Sequence, residues 1–284
     1  VGEESGGLPP QQTVQQMDQI LLDSERLVGK YHQRGAGAMV NIALAPCSPF
    51  SVTPEIMRES AAMAQRLDVR LHTHLAETLD EEAFCLQMFG MRTVDYLESV
   101  GWLSDRTWLA HGIHFNTEEI QRLGQAGVGI CHCPHSNMRL ASGICPTLDL
   151  MQAGATIGLG VDGSASGDAS NLILETRQAM YLQRLKYGAE RITPELAFGW
   201  ATQGSAKLLG REHDLGEIAV GRQADFALYK LDELKFSGSH DPIAALLLCG
   251  ADQAEHVMVG GKWIVKERQL ATIDIEKLQA EHRL

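Results

Sequence analysis

The 284 residues of this chain, 44% hydrophobic and 21% charged, supply enough apolar material for one large domain or for a barrel with a small satellite. The formal net charge of −12 at pH 7 argues against a nucleic-acid-binding protein, which needs clustered Lys and Arg. The longest apolar runs, such as residues 243–248, are far shorter than the roughly 20 residues of a membrane helix. Six scattered cysteines without C-x-x-C spacing indicate neither a disulfide framework nor a cysteine-rich zinc module, so we expect a cytoplasmic protein.

The chain opens with a polar, turn-prone stretch, residues 2–10, that leads into a helix-like segment rather than a strand. We therefore expect it to begin inside a longer protein. From about residue 38, short β-type runs alternate with amphipathic helical runs, the pattern of βα units around a parallel sheet. The predicted strands are residues 39–45, 69–75, 108–111, 128–132 and 156–161. The predicted helices are residues 54–67, 80–100, 117–126, 146–153, 169–187 and 194–209.

These elements predict an α/β fold: about strands 4 to 8 of a TIM-like (β/α) barrel, incomplete at its N-terminus, over residues 1–212. After residue 209 the pattern changes to β-rich runs, and the Gly260-Gly261 pair predicts a two-residue hairpin turn, since type I′ turns need positive φ at both central residues. We predict a small β-sandwich appendage with a C-terminal tail over residues 213–284.

Polar and reactive residues fall at the C-terminal ends of the predicted strands, which is where a β/α barrel builds its active site. They are Cys47, His72, His74, His111, His132 and Asp162.

The run from His72 to Glu77 carries the strongest chemical signal. His72 and His74 face the same way because side chains two apart on a strand share a face. Imidazole suits zinc or iron, and the nearby carboxylate of Glu77 could act as a general acid or base beside a bound metal. The alternative is a set of polar interior side chains that only bond to their neighbours.

Asp162 stands at the mouth of a buried, β-branched strand, within residues 158–163, which also match the G-x-G-x-x-G dinucleotide pattern. A carboxylate there would oppose a pyrophosphate, and the run closes a series of βα units rather than opening one. We therefore interpret Asp162 as a metal ligand or proton acceptor; a NAD-binding module is the alternative.

His111 could polarise a hydroxide or stabilise a tetrahedral intermediate, although a lone histidine at a strand end is more often structural. His114 lies past the strand end and is expected to be a loop or surface residue. Cys131, His132 and Cys133 are not expected to form one metal cluster, because alternate side chains on a strand face opposite ways.

Nearly the whole chain resembles the aminohydrolase branch of the amidohydrolase superfamily. The resemblance rests on the order of His74-x-x-Glu77, His111, the Asn137 loop and Asp162 along the sequence. The subgroup that the chain resembles most comprises the 8-oxoguanine deaminases and the hydroxydechloroatrazine ethylaminohydrolases. Residues 6–10, 44–52, 137–143 and 161–166 carry this finer resemblance.

The resemblance implies a role for each matching residue. His74 and Asp162 would bind one divalent metal, zinc or else iron; Glu77 would shuttle the proton; and Asp162 and His111 would be catalytic, His111 contacting the hydroxide or the intermediate. Cys47 and Asn137 would contact substrate. The family's two other metal ligands form an H-x-H pair on the first barrel strand, upstream of this segment, so His72 is expected to have a structural or supporting role.

The resemblance also implies a function: metal-dependent hydrolytic deamination of a small purine-like heterocycle, with 8-oxoguanine to urate and ammonia as the best candidate. Guanine, a pterin or a hydroxyatrazine-type triazine are alternative substrates. A non-catalytic barrel is the alternative from another class. We further expect a homo-oligomer that binds neither nucleic acid nor membrane.

Overall fold

A computed structural model of the chain describes residue 2 and residues 9–283. Residues 6–8, part of one stretch that carries the family resemblance, lie outside the described residues. In the described part of the chain, no helix combines the length and apolar character needed to cross a membrane.

The larger sheet has five parallel strands in chain order, as expected for consecutive βα units. Among the described residues, the first and fifth strands each pair with a single neighbour, so the sheet is an open arc. The first strand is much shorter than the predicted residues 39–45. The strands are Ala43–Leu44 (β1), Arg70–Leu75 (β2), Thr107–His111 (β3), Gly129–His132 (β4) and Thr156–Leu159 (β5).

Twelve α-helices are described, and most of them follow the predicted pattern. They are Met17–Tyr31 (α1), Pro54–Leu67 (α2), Leu79–Phe89 (α3), Thr93–Ser99 (α4), Thr117–Gln125 (α5), Pro134–Arg139 (α6), Thr147–Ala153 (α7), Leu172–Tyr187 (α8), Pro194–Gly199 (α9), Ser205–Leu208 (α10), Pro242–Leu248 (α11) and Ile275–His282 (α12). A π-helical turn, Trp200–Gly204, joins α9 to α10, and short 3₁₀ turns lie at Gln11–Thr13 and Leu234–Phe236.

Local sequence explains the helix boundaries. Helix α2 begins where the Thr53 hydroxyl accepts the backbone N–H of Ile56, with Pro54 in the first turn. The single helix predicted for residues 80–100 is wrong. Gly90, at φ +69°, ends α3 in the left-handed conformation, and α4 starts afresh at Thr93.

The alternation of side chains in β2 decides which residues can form a site. Leu71, Thr73 and Leu75 are buried, and Leu71 and Leu75 belong to the main core with residues of the surrounding helices. His72 and His74 therefore face the concave side of the sheet. His74 lies beside Ala110 of β3, and Ala110 beside Cys131 of β4, so these three share that side.

The C-terminal residues form a separate antiparallel sheet. Gly260 and Gly261 have φ of +55° and +76°, which confirms the predicted hairpin. The described strands form one four-stranded sheet here; the β-sandwich and the boundary at residue 212 stay predictions. The strands are Phe226–Leu228 (β6), His256–Val259 (β7), Lys262–Lys266 (β8) and Gln269–Leu270 (β9).

Candidate active site

Three predicted site residues meet at the carboxyl end of the parallel sheet. Ligand atoms of His74, His111 and Asp162 all lie within 4.8 Å of one another. His74 is in β2, His111 ends β3, and Asp162 follows β5. Imidazole nitrogen and carboxylate oxygen suit zinc, so this group could hold a metal ion.

His111 reaches the site through an unusual backbone conformation. Strict alternation along β3 would place it on the same side as Leu109, which is buried in the main core. Its φ of +69° breaks the alternation, and its ring stacks on His74 with 5.4 Å between centroids. Asp162 likewise has a φ of +60°. Positive φ is uncommon outside glycine, even though His and Asp adopt it more often than most residues, and such residues cluster at functional sites.

Asn137 contacts the His111 ring at Nδ1, the nitrogen on the side away from Glu77 and Asp162. Nδ2 of Asn137 lies 2.9 Å from Nδ1 of His111; in this amide orientation Nδ2–H donates to Nδ1 and the ring proton is on Nε2. That Nε2 lies 3.5 Å from Glu77 Oε2 and 3.9 Å from Asp162 Oδ2. Burial, and then the neighbouring His74, lower the pKa of His111 to about 4, so the ring is neutral near pH 7. A neutral ring in this tautomer presents a hydrogen-bond donor to the site, and the assignment of His74 and Asp162 as the metal ligands stays a prediction.

His74 has one nitrogen free for a metal. Its Nδ1 donates to the backbone carbonyl of Cys47 over 2.7 Å, while the Cys47 sulfur is farther away at 3.8 Å. The Nε2 atom is then left for a metal, the usual arrangement of a ligating histidine. Hydrogen bonding to Cys47 raises the pKa of His74 to about 9, and His74 in turn lowers the pKa of Cys47, so metal binding at Nε2 would release a proton from the ring. Cys47 is exposed beside the ring.

Asp162 is held ionised by hydrogen-bond donors. Its Oδ2 accepts from the hydroxyls of Ser136, at 2.5 Å, and Ser166, at 3.1 Å, and its Oδ1 accepts from the Gly163 N–H at 2.7 Å. Burial raises the pKa of Asp162, but these hydrogen bonds outweigh it and the net shift is downward.

Glu77 lies at the edge of this group. It accepts a hydrogen bond from the Ser142 hydroxyl over 3.3 Å, and burial raises its pKa. A carboxyl group with a raised pKa next to a potential metal site is suited to giving and taking protons.

The remaining candidates lie outside this group. His72 stacks on Trp108 at 4.8 Å and contacts the Trp108 carbonyl at 3.1 Å, which suits a supporting role. His132 is fully buried against Gln183 of α8. His114 lies in the loop between β3 and α5, as expected, and is half-buried, with its Nε2 donating to the Ser142 carbonyl at 2.8 Å.

Two further expectations concern sequence motifs. That Cys131, His132 and Cys133 do not form one metal cluster stays a prediction from strand alternation. No helix follows Gly163 until Leu172, so the G-x-G-x-x-G match lacks the helix N-terminus that a dinucleotide-binding turn requires. Asn137 is fully buried behind His111, and its contact with substrate stays a prediction.

Residues Ser136, Ser142 and Ser166 were not identified from the sequence. Each donates to Asp162 or to Glu77. Asn137 and Ser136 lie in helix α6 rather than in the expected loop, Ser142 follows that helix and Ser166 follows Asp162. Single serines at such positions give no sequence signal of this kind.

The fold and this group of residues define a class of protein. Residues 6–264 match the model of the amidohydrolase family, and the chain belongs to that family.

Particular relatives are closely similar. The chain is 74% identical over 283 residues to 8-oxoguanine deaminase of Pseudomonas aeruginosa, covering 100% of this chain and 63% of that protein. It is 34% identical to an isoxanthopterin deaminase from an unknown prokaryotic organism, covering 97% of this chain and 61% of the other. Atrazine chlorohydrolase TrzN of Arthrobacter aurescens TC1, crystallised with zinc, superposes with a TM-score of 0.95 at 36% identity, covering 100% of this chain and 63% of that one. The chain thus spans about three fifths of the length of these relatives.

Proposed function

We propose that this chain is part of a metal-dependent deaminase that hydrolyses 8-oxoguanine to urate and ammonia. The observation that carries the proposal is the 74% identity to 8-oxoguanine deaminase along the whole chain. The grouping of His74, His111 and Asp162, with Glu77 beside it, supplies the chemistry that such a reaction needs.

The donor set fits a divalent metal, with zinc first and iron as the alternative. His74 through Nε2 and Asp162 through its carboxylate would supply two of the ligands of the ion. A bound zinc ion would act as a Lewis acid that makes water nucleophilic near neutral pH. A crystal structure of the relative TrzN contains zinc.

The residues of the chain would divide the proton transfers among them. Asp162, ionised by its three donors, accepts a proton from the attacking water. The Nε2–H of His111 holds the resulting oxygen nucleophile in place. Glu77, with its raised pKa, protonates a ring nitrogen as water adds to the carbon that bears the amino group. Asp162 then returns the proton of the water to the amino group, which leaves as ammonia when the C–N bond breaks. Glu77 takes up the proton of the new hydroxyl as it becomes the product carbonyl, so both carboxyl groups return to their starting states.

Related substrates follow from the related proteins. Guanine, isoxanthopterin or a hydroxyatrazine-type triazine could react by the same steps, and relatives that act on a pterin or a triazine are 34% and 36% identical to this chain. The exposed Cys47, next to His74, is positioned to contact the ring of any of them. A non-catalytic barrel would have no need to keep His74, Glu77, His111 and Asp162 together, which favours the enzyme.

We also propose that the enzyme is a cytoplasmic homo-oligomer that does not bind nucleic acid. The net charge of −12 supports the last of these.

The test is ammonia release from 8-oxoguanine, guanine, isoxanthopterin and hydroxyatrazine by zinc-loaded protein expressed from the complete reading frame. Release from 8-oxoguanine well above the other three supports the proposal. Faster release from another substrate would keep the reaction class and change the substrate. No release from any of them by zinc-replete protein would reject the function.

A further inference from the structure

We propose that Glu81 is a positioning residue: its buried carboxylate holds the turn after β2 that presents Glu77 to the active site. The link to catalysis rests on the proposed function, because it needs Glu77 to transfer protons. The structural part, that Glu81 fixes this turn, does not.

The turn that carries Glu77 is an unusual piece of backbone. Strand β2 ends at Leu75, and Ala76 then adopts a φ of +54°. An alanine has no side-chain polar group that could stabilise this left-handed conformation, so the surrounding contacts must do so. On one side, the Ala76 carbonyl accepts the N–H groups of Ile113 at 2.9 Å and His114 at 3.0 Å. The turn is thereby tied to the segment directly after His111.

Glu81 ties the turn from the other side. Its Oε1 accepts the Ala76 N–H at 3.0 Å and its Oε2 accepts the Glu77 N–H at 3.1 Å. Two successive N–H groups of a turn need two acceptor atoms, and a carboxylate offers both, whereas an amide offers one acceptor and one donor. Glu81 is therefore matched to this turn in a way that Gln is not.

Burying the carboxylate of Glu81 costs free energy, and capping its own helix does not require it. The N-terminus of α3 is already capped, because the Thr78 hydroxyl accepts the Glu81 N–H. Glu81 is 2% exposed, and in the described part of the chain it makes no direct ion pair. Burial raises its pKa to about 7 even though both backbone N–H groups stabilise the ionised form. A buried, unpaired carboxylate is an expensive way to secure a turn, and this turn leads directly to Glu77.

The test compares Glu81→Gln with Glu119→Gln in zinc-loaded protein from the complete reading frame. Glu119 is a matched control because it is also 2% exposed, lies in the first turn of its helix and accepts a backbone N–H, that of Asn116. Unlike Glu81, it pairs with Arg92 and does not contact the turn that carries Glu77. Three quantities are measured: hydrogen–deuterium exchange of the Ala76 and Glu77 amides, zinc content, and kcat and KM for ammonia release.

For Glu81→Gln we expect faster hydrogen–deuterium exchange at these two amides and unchanged zinc content. We also expect kcat to fall by about 10- to 100-fold with little change in KM, because displacing a catalytic group by about 1 Å costs rate of this order. For Glu119→Gln we expect a lower melting temperature with exchange at Ala76 and Glu77 and kcat unchanged. If Glu81→Gln does not fold, Glu81→Asp, which keeps the charge on a shorter side chain, is measured in the same way.

Unchanged exchange at Ala76 and Glu77 in both Glu81 variants would overturn the proposal, whether or not the enzyme is active. Faster exchange with a wild-type kcat would overturn the link to Glu77. Wild-type protein that releases no ammonia would reject the proposed function, while the exchange data would still decide whether Glu81 holds the turn.

Discussion

Replacing Glu77 with Gln tests the proton-transfer step most directly. Gln has nearly the same shape, and its carbonyl oxygen can still accept the Ser142 hydroxyl that Glu77 accepts at 3.3 Å. The change removes the ability to take up and release a proton, together with the charge of the ionised form and one acceptor oxygen. Since Glu77 is outside the group formed by His74, His111 and Asp162, zinc content should not change.

The size of the effect follows from the role. A positioned general acid or base contributes about 10²- to 10⁴-fold to the rate. At about 1.4 kcal/mol for each factor of ten, this is a rise of about 3 to 5 kcal/mol in the activation barrier. Burial raises the pKa of Glu77, which moves this carboxyl group toward the range suited to acid–base catalysis.

The assay is steady-state ammonia release with each variant loaded with zinc and its metal content measured. Glu118→Gln is the control, because Glu118 is an exposed carboxylate on α5. We expect kcat of Glu77→Gln to fall by the factor above and kcat of Glu118→Gln to equal that of the wild type. A Glu77→Gln enzyme with full zinc content and near wild-type kcat would remove Glu77 from the mechanism.

Three further predictions concern metal binding, ring orientation and packing. His74→Ala should weaken zinc binding by more than about 100-fold, because it removes a predicted metal ligand. His72→Ala should retain zinc, because the His72 ring stacks on Trp108. Equal metal content in both variants would contradict the ligand assignment. Asn137→Ala should lower kcat by about 10- to 100-fold with zinc retained, because Nδ1 of His111 loses its donor; an unchanged kcat would show that the ring needs no such support. Gly124→Ala should destabilise the protein by about 1–3 kcal/mol, because the added Cβ would lie 2.1 Å from the Ala153 carbonyl oxygen. Gly29→Ala on α1, where the added Cβ would meet no atom within 4 Å, should stabilise it by up to about 1 kcal/mol. Denaturant unfolding measures both free energies, and a stabilised Gly124→Ala protein would refute the packing argument.

The sequence by itself determined the strands, most of the helices and the positions at which reactive residues end the strands. These features are local. Hydrophobic periodicity distinguishes a strand from a helix, and a histidine or aspartate directly after a strand must stand at the mouth of the sheet. Gly90 also marks the end of α3 in the sequence, and the prediction of one helix over residues 80–100 overlooked that signal.

Only the tertiary structure decided how the site is assembled. Strand alternation would direct His111 toward the helices, yet a φ of +69° turns it to the site, where Asn137 sets its tautomer from another segment. Ser136 and Glu81 likewise hold Asp162 and the Glu77 turn through contacts that no spacing rule predicts. The physical reason is that a left-handed residue and a buried carboxylate are unfavourable by themselves. They persist only where distant parts of the chain supply the compensating hydrogen bonds, and those parts meet only in the folded protein.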